Sequence, residues 1–471
     1  MSMTNQTTRQ PLDRRLLRIG AVLLAAPVMA NIDATSVGVA TDTLAESFDA
    51  PLSAVQWVAA GYLLAVAMVI PAAGWASDRF GGKRVWMFAV TLFTAGSLLC
   101  GLAWSLPSLI VFRLVEAVGG GLMNPVGQAI LARAAGRDRI GRLMSLVSIP
   151  VAFGPALGPV LGGVLVHEFG WRAIFFVNLP VCLVLLPIAA RLLPAERDAR
   201  DRGQRLDLMG LALLSPGIAA AVYGFTSLGG GGGAPLVAGS LGVALLLVAG
   251  YVVHALRGAG TPLIDLRLFT RGGFAAATGT AFLLGASLYS SMLLVPLYYQ
   301  QVQGANALTA GLLLTPQAVG AAAGAFVAGR FTDRYGPKYV LLAGIVLAMA
   351  GTVVFTQVTA SPPGWLLVCS LAVRGLGLGA VMGPNLAAAY SSVEKHEASR
   401  ASSAYTVMHR VGGSLGTAIL TVVLQQSLAG APPGPASSAG FGHTFWWALA
   451  LCVLALVPAA FFPARRATAK P

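Results

Sequence analysis

Charge is what this sequence has least of. Asp, Glu, Lys and Arg make up 10% of its 471 residues, against about 25% in ordinary soluble domains. A soluble chain of this length would lack the polar side chains to cover its own surface. With 56% hydrophobic residues and a mean hydropathy of +0.76, the surplus apolar surface must face lipid. No GxxxxGK[ST] phosphate loop occurs, which removes a built-in ATPase. The four cysteines, Cys100, Cys182, Cys369 and Cys452, are far apart with no CxxC spacing. They give neither a disulfide frame nor a zinc site, and read as small core hydrophobes. The five histidines are scattered, and the loops are too short for the clustered His, Asp or Ser of an enzyme site. No metal or other cofactor is expected. The net charge of +14 is no nucleic-acid signature, because the basic residues come in small groups between apolar runs and not on one soluble face.

What is present is a succession of apolar runs, each near the roughly 20 residues that cross a bilayer. Fourteen are read, near 16–40, 53–76, 85–104, 106–132, 142–166, 173–193, 208–228, 234–256, 274–300, 308–330, 338–358, 364–390, 401–428 and 443–463. With a cytoplasmic N-terminus, every Lys and Arg lies inside except Arg172, which falls outside, and Arg113, Arg374 and Arg410, which fall within runs. That is the positive-inside asymmetry, and a miscounted run would scramble it. The expectation is a multi-pass protein of the bacterial cytoplasmic (inner) membrane, with both termini cytoplasmic. Arg14-Arg15-Leu16-Leu17-Arg18 with the apolar stretch ending Val28-Met29-Ala30 also fits a cleavable signal peptide. The repeat described next favours an uncleaved first helix, since cleavage would leave one half a helix short.

Gly74-Trp-Ala-Ser-Asp78-Arg79-Phe-Gly81-Gly-Lys83 recurs as Gly329-Arg-Phe-Thr-Asp333-Arg334-Tyr-Gly336-Pro-Lys338, and Arg113 in the fourth run recurs as Arg374 in the twelfth. Runs 1–6 and 9–14 are thus equivalent halves, with runs 7 and 8 inserted. The expected division is a six-helix bundle over 1–193, a cytoplasmic loop with two inserted helices and linker over 194–271, and a second six-helix bundle with a tail over 272–471. Matching halves suit alternating access about a site near the midplane. Gly229–Gly233 and 430–440 read as flexible external connectors.

These residues resemble the major facilitator superfamily, and within it the drug:proton antiporters with fourteen spanning helices. The Gly74–Arg84 element is similar to the superfamily's GxxxDRxGxKR signature. Gly154, Pro155, Gly158, Pro159, Gly162 and Gly163 resemble the antiporter motif of exporters. Gly170-Trp171-Arg172 with Phe175-Phe176-Val-Asn178-Leu-Pro180, the Pro262–Phe269 stretch, Asn31-Ile-Asp33 and Gln56-Trp57 with Tyr62 also fit. The family usually carries Gln and Gly after the fourth-run arginine. Here those positions hold Glu116 and Ala117. The resemblance implies an all-α membrane protein that exports small amphipathic compounds against protons, as a monomer, without a cofactor. Its alternative is a dedicated exporter or facilitator of one metabolite.

Asp33 and Glu116 are the carboxylates placed within the bilayer, where acids are costly and usually functional. With Arg113 they form the candidate proton-coupling site. Glu116 lies three residues after Arg113 on one helix face, a pairing that would keep Glu116 ionised and leave Asp33 the better proton carrier. An apolar cavity with two acids permits cationic lipophiles. Gly74, Asp78, Arg79, Gly81 and Lys83 form a candidate cytoplasmic gate loop, because a carboxylate can cap a helix and pair an arginine while glycine permits close approach. Gly329, Asp333, Arg334, Gly336 and Lys338 are its counterpart. Gly154, Gly158 and Gly162 recur every four residues and give a smooth face for helix packing. His409 is a candidate titrating group beside Arg410.

Overall fold

Inside hydrocarbon there is no water to satisfy backbone N–H and C=O groups, so a chain crosses it as helix or closed barrel. In the computed structural model the regular elements among the described residues are helices. The described residues are 14–135, 158, 161–194, 207–229, 233–257, 262–305, 307–358, 362–394, 397–428 and 437–462. The first group contains α1 (Arg14–Ser36), α2 (Thr41–Phe48), α3 (Leu52–Phe80), α4 (Gly82–Gly101), α5 (Leu106–Ala135), α6 (161–169), α7 (Ala173–Phe176) and α8 (Asn178–Leu192). A hairpin of α9 (Leu208–Gly229) and α10 (Ala234–Arg257) follows. The second group contains α11 (Gly272–Gln301), α12 (Ala307–Leu312), α13 (Thr315–Tyr335), α14 (Pro337–Thr356), α15 (Gly364–Ser391), α16 (Ala398–Leu428) and α17 (Ser438–Ala460).

Among the described residues, 12 helices are long and apolar enough to span a membrane. The fifth run lies outside the described residues except for 158 and 161–166. The tenth run, read as one helix over 308–330, is broken instead into α12 and α13, with a proline in the first turn of α13. α13 is also less apolar than its neighbours because its composition serves packing. A Cβ on Gly320 would stand 2.2 Å from the Ala372 carbonyl oxygen, and one on Gly324 would stand 2.0 Å from that of Leu376. Facing them on α15, Gly375 and Gly379 would clash with the Gln317 and Ala321 carbonyls at 2.0 and 1.9 Å. Small residues of this spacing let two helices meet backbone to backbone.

The hairpin covers a seam. α9 lies against α3 of the first group and α16 of the second, while α10 packs on α9. Trp57 on α3 stacks with Tyr223 on α9 at 6.1 Å between ring centroids. On the other side of the linker, Arg271 grips Glu397 with both terminal nitrogens, at 2.5 and 2.8 Å, tying the start of α11 to the turn before α16.

The two signature elements differ from the loops expected. Helix α3 runs on through Asp78 and Arg79 to Phe80, and α13 runs on to Tyr335. The reversal is confined to Gly81 (φ 88°) and Gly336 (φ 84°), a backbone region glycine enters without a Cβ penalty. Each glycine N–H returns to the carbonyl four residues back, Ser77 and Thr332, at 2.9 Å. A single residue therefore ends one helix and starts the next. Of the cysteines, Cys100, Cys182 and Cys452 are buried as core residues, but Cys369 is exposed.

Candidate functional site

Arg113 and Glu116 stand one turn apart on α5, and α1 brings Asp33 to the same point. Arg113 Nη1 donates to Asp33 Oδ2 at 2.6 Å and to Glu116 Oε2 at 2.8 Å. One nitrogen thus serves two carboxylates with its two hydrogens. Arg113 Nε points to the Val58 carbonyl at 3.4 Å, and the guanidinium carbon lies 4.1 Å above the Tyr62 ring. Asp33, Arg113, Glu116 and Asn178 are each at most 1% exposed. Arg113 is therefore enclosed by protein on all sides.

The two acids are not equivalent. Asp33 has both oxygens engaged, since Asn178 Nδ2 donates to Oδ1 at 3.2 Å. The same amide nitrogen reaches Ser97 Oγ at 2.9 Å, and Ser97 donates to the Phe175 carbonyl at 2.9 Å. Glu116 has one engaged oxygen, Oε2, which also faces Cys100 Sγ at 3.5 Å. Glu116 Oε1 is buried with no hydrogen-bond partner among the described residues. Arg113 thus pairs with both acids, and the helix-face pairing with Glu116 does not leave Asp33 apart. Asn178, Ser97 and Cys100 were missed as site residues by sequence reasoning. The available signal was a lone amide near the start of the apolar run 173–193, and Cys100 gave none beyond its type.

The site needs close helix packing. A Cβ on Gly96 of α4 would sit 2.6 Å from Glu116 Cα, so glycine lets α4 and α5 meet at the acid. Of the glycine motif, Gly154, Pro155 and Pro159 lie outside the described residues. Gly158 and Gly162 meet α1 just beyond Asp33. A Cβ on Gly158 would fall 2.8 Å from the Ile32 carbonyl oxygen, and one on Gly162 would fall 2.9 Å from Ser36 Cβ. The Ser36 hydroxyl lies 2.8 Å from the Gly158 carbonyl. Gly163 has a neighbour at 3.9 Å, Val39.

A second cluster joins the two groups of helices at the end of the bundle that carries the basic turns. Asp78 Oδ1 accepts from Arg133 Nη2 of α5 at 3.0 Å, and Oδ2 lies 3.5 Å from Arg400 Nε of α16. Arg133 also donates to Ser399 of α16, and Ser402 donates to the Pro125 carbonyl at 2.8 Å. Gly74 permits the approach, since a Cβ there would stand 3.1 Å from Arg400 Cα. These side-chain bonds cross from α1–α8 to α11–α17. Lys83 does something else: its ammonium caps the last carbonyls of the α8 region, at 2.6 Å from Ala190 O and 2.9 Å from Leu193 O. Arg79 Nη1 is buried with no hydrogen-bond partner among the described residues. The side chains of Asp333 and Arg334 lie outside the described residues, so the counterpart cluster is described only at Gly329, Gly336 and Lys338.

Asp78→Asn is expected to loosen this latch. Charge-assisted bonds contribute about 1.5–3 kcal/mol, and about 1.4 kcal/mol is tenfold in an equilibrium. Thiol labelling of Ser402→Cys, buried at this seam, should accelerate at least about tenfold in the D78N background. Equal labelling rates would remove Asp78 from the latch.

Fold and site together define a polytopic membrane transporter, not an enzyme. Residues 22–417 and 280–471 match the family model of the Major Facilitator Superfamily, and the chain belongs to that superfamily. It is 39% identical to the "Multidrug resistance protein B homolog" of Mycobacterium tuberculosis (strain ATCC 25618 / H37Rv), covering 97% of this chain and 92% of the relative. It is 31% identical to the "Tetracenomycin C resistance and export protein" of Streptomyces glaucescens, over 85% of this chain and 75% of that one. The "Methylenomycin A resistance protein" of Streptomyces coelicolor is 30% identical over 85% and 84%. The fold is shared with the solved proton:xylose symporter XylE, at a TM-score of 0.65, 14% identity and coverage of 95% and 96%.

Proposed function

We propose that this transporter exports small amphipathic compounds across the bacterial cytoplasmic membrane in exchange for protons, by alternating access between its two matched halves. The observation that carries the reading is that two buried carboxylates share one guanidinium nitrogen. With both acids ionised the site holds one negative charge in excess, and unpaired charge away from water is costly. Binding one proton removes the excess; releasing it restores the excess. The proton is assigned to Glu116 Oε1, the oxygen without a partner, because Asp33 already accepts from Arg113 and Asn178. The names of the drug-resistance and export relatives support the cargo and the direction.

In this reading the basic end is cytoplasmic, both termini face it, and the Asp78–Arg133–Arg400 cluster closes that side. The chain spans fourteen times, acts as a monomer and uses the proton gradient with no cofactor. One charge moving through 100 mV gains about 2.3 kcal/mol, enough to drive accumulation without ATP.

Proton release from the purified full chain in liposomes tests this directly. Adding a transported compound, found by scanning resistance in a pump-deficient host, should release protons in proportion to cargo bound. Transport that proceeds with no proton movement at any pH difference would leave a facilitator in its place.

A further inference from the structure

Arg374 and Arg410 are membrane-embedded cations that proton exchange leaves unused, and their surroundings differ. Arg374 is 1% exposed and is enclosed by neutral acceptors: Thr352 Oγ1 at 3.1 Å, Gln317 Oε1 at 3.3 Å, the Ser287 carbonyl at 3.4 Å and the Ser291 hydroxyl. Its donors are spent on the bundle that holds it. Arg410 is only partly buried, and its side chain has no hydrogen bond or ion pair among the described residues. Asp33 and Glu116 bond to Arg113, and neither forms an ion pair with Arg410 among the described residues.

The position of Arg410 follows from helix geometry. At about 100° per residue, Ser399, Thr406 and Arg410 fall within about 40° of one another on α16. Ser399 is the residue that meets Arg133 of α5. Gly412, which abuts the Phe282 carbonyl of α11, lies about 160° round from Arg410, and Gly413, which abuts the Tyr289 ring of α11, about 60°. Arg410 therefore lies on the side of α16 turned toward the opposite half, at the edge of its contact with α11. Ser402 touches Pro125; from that contact Arg410 is about 12 Å along α16 and Glu116 about 13.5 Å along α5, at about 1.5 Å per residue. The two residues stand at one depth across the seam, where the Tyr62 ring covers Arg113. Arg410 is also about 15 Å from Arg400 at the latch, half the hydrocarbon thickness, too deep for its head group to reach the interface.

We infer that Arg410 reads an anionic group on the cargo, so that the exported class is amphipathic organic anions, held between α5 and α16. A cation at the midplane without a protein counter-ion needs one from elsewhere, and a carboxylate or sulfonate accepts the two parallel N–H bonds a guanidinium offers. A cationic lipophile would meet Arg410 as a like charge. This inference rests on the proposed proton-driven export and refines its substrate class.

The test uses two probes of opposite charge in liposomes of the full chain under an imposed pH difference, with protein-free liposomes as the blank. The anion is radiolabelled 2-naphthalenesulfonate, which is permanently charged and does not follow the gradient unaided; the cation is ethidium. Expected are proton-driven movement of the sulfonate, a loss of more than tenfold in its apparent affinity in Arg410→Gln, and retention in Arg410→Lys. Ethidium movement should not fall in Arg410→Gln. Sulfonate transport equal in wild type and Arg410→Gln, or proton-driven movement of ethidium alone, would overturn the assignment while leaving proton-driven export standing. Movement of either probe that ignores the pH difference would instead count against the proton-driven reading.

Discussion

Glu116→Gln is expected to uncouple the transporter. Glutamine keeps the shape and can still face Cys100, but it leaves Arg113 with Asp33 as a balanced pair. No excess negative charge remains to attract a proton. Cargo-induced proton release should fall to background, and accumulation driven by a gradient should fall with it. Each coupled proton is worth about 2.3 kcal/mol per 100 mV, or roughly fiftyfold in accumulation ratio. Exchange of cargo down its own gradient should persist, because the binding seam is untouched. Asp33→Asn is expected to uncouple as well, for it leaves a balanced Arg113–Glu116 pair. The two acids are separated by infrared spectroscopy of protein carrying carbon-13 in glutamate alone. The protonated-carboxyl band should move with that label. A band that stays in place assigns the proton to Asp33, and unchanged proton-coupled accumulation in Glu116→Gln removes Glu116 altogether.

The second large effect concerns folding. Asp33→Asn with Glu116→Gln strands the Arg113 guanidinium, 0% exposed, with no carboxylate. Breaking a buried pair by removing partners costs about 3–5 kcal/mol. The double variant should lose far more thermal stability in detergent than the sum of the single variants, since either acid alone still neutralises Arg113. Adding Arg113→Met should recover much of the loss, because an apolar side chain of similar volume needs no partner. A double variant as stable as either single one would show that Arg113 does not depend on the acids.

Much of this was legible because lipid imposes a simple rule on sequence. Apolar run length sets span number, so runs such as 338–358 and 443–463 reappear as α14 and α17 with shifts of a few residues. Charges inside such runs are rare, which flagged Asp33, Arg113 and Glu116 from composition alone. The Arg113–Glu116 pair follows from a spacing of three. The Arg113–Asp33 pair, eighty residues apart in sequence, does not follow from any local pattern. Nor does the Asn178 amide that distinguishes one acid from the other. Lys83 read as part of a gate because of its motif, yet it caps α8, since a helix C-terminus attracts a cation wherever the fold brings one. The tenth run read as one helix because residues that serve backbone-to-backbone packing, such as Gly320 and Gly324, are indistinguishable by hydropathy from weak lipid-facing ones.

By itself the sequence determined that this chain lives in a membrane, that a short motif recurs along it, and which few charges fall inside apolar runs. Those properties depend on length, composition and sign, all of which are additive along the chain. Which acid has a free oxygen, which arginine is sealed and which stands open at the seam was decided only by the tertiary structure. Such differences arise from partners set by helix crossing, and a buried charge is defined by what surrounds it.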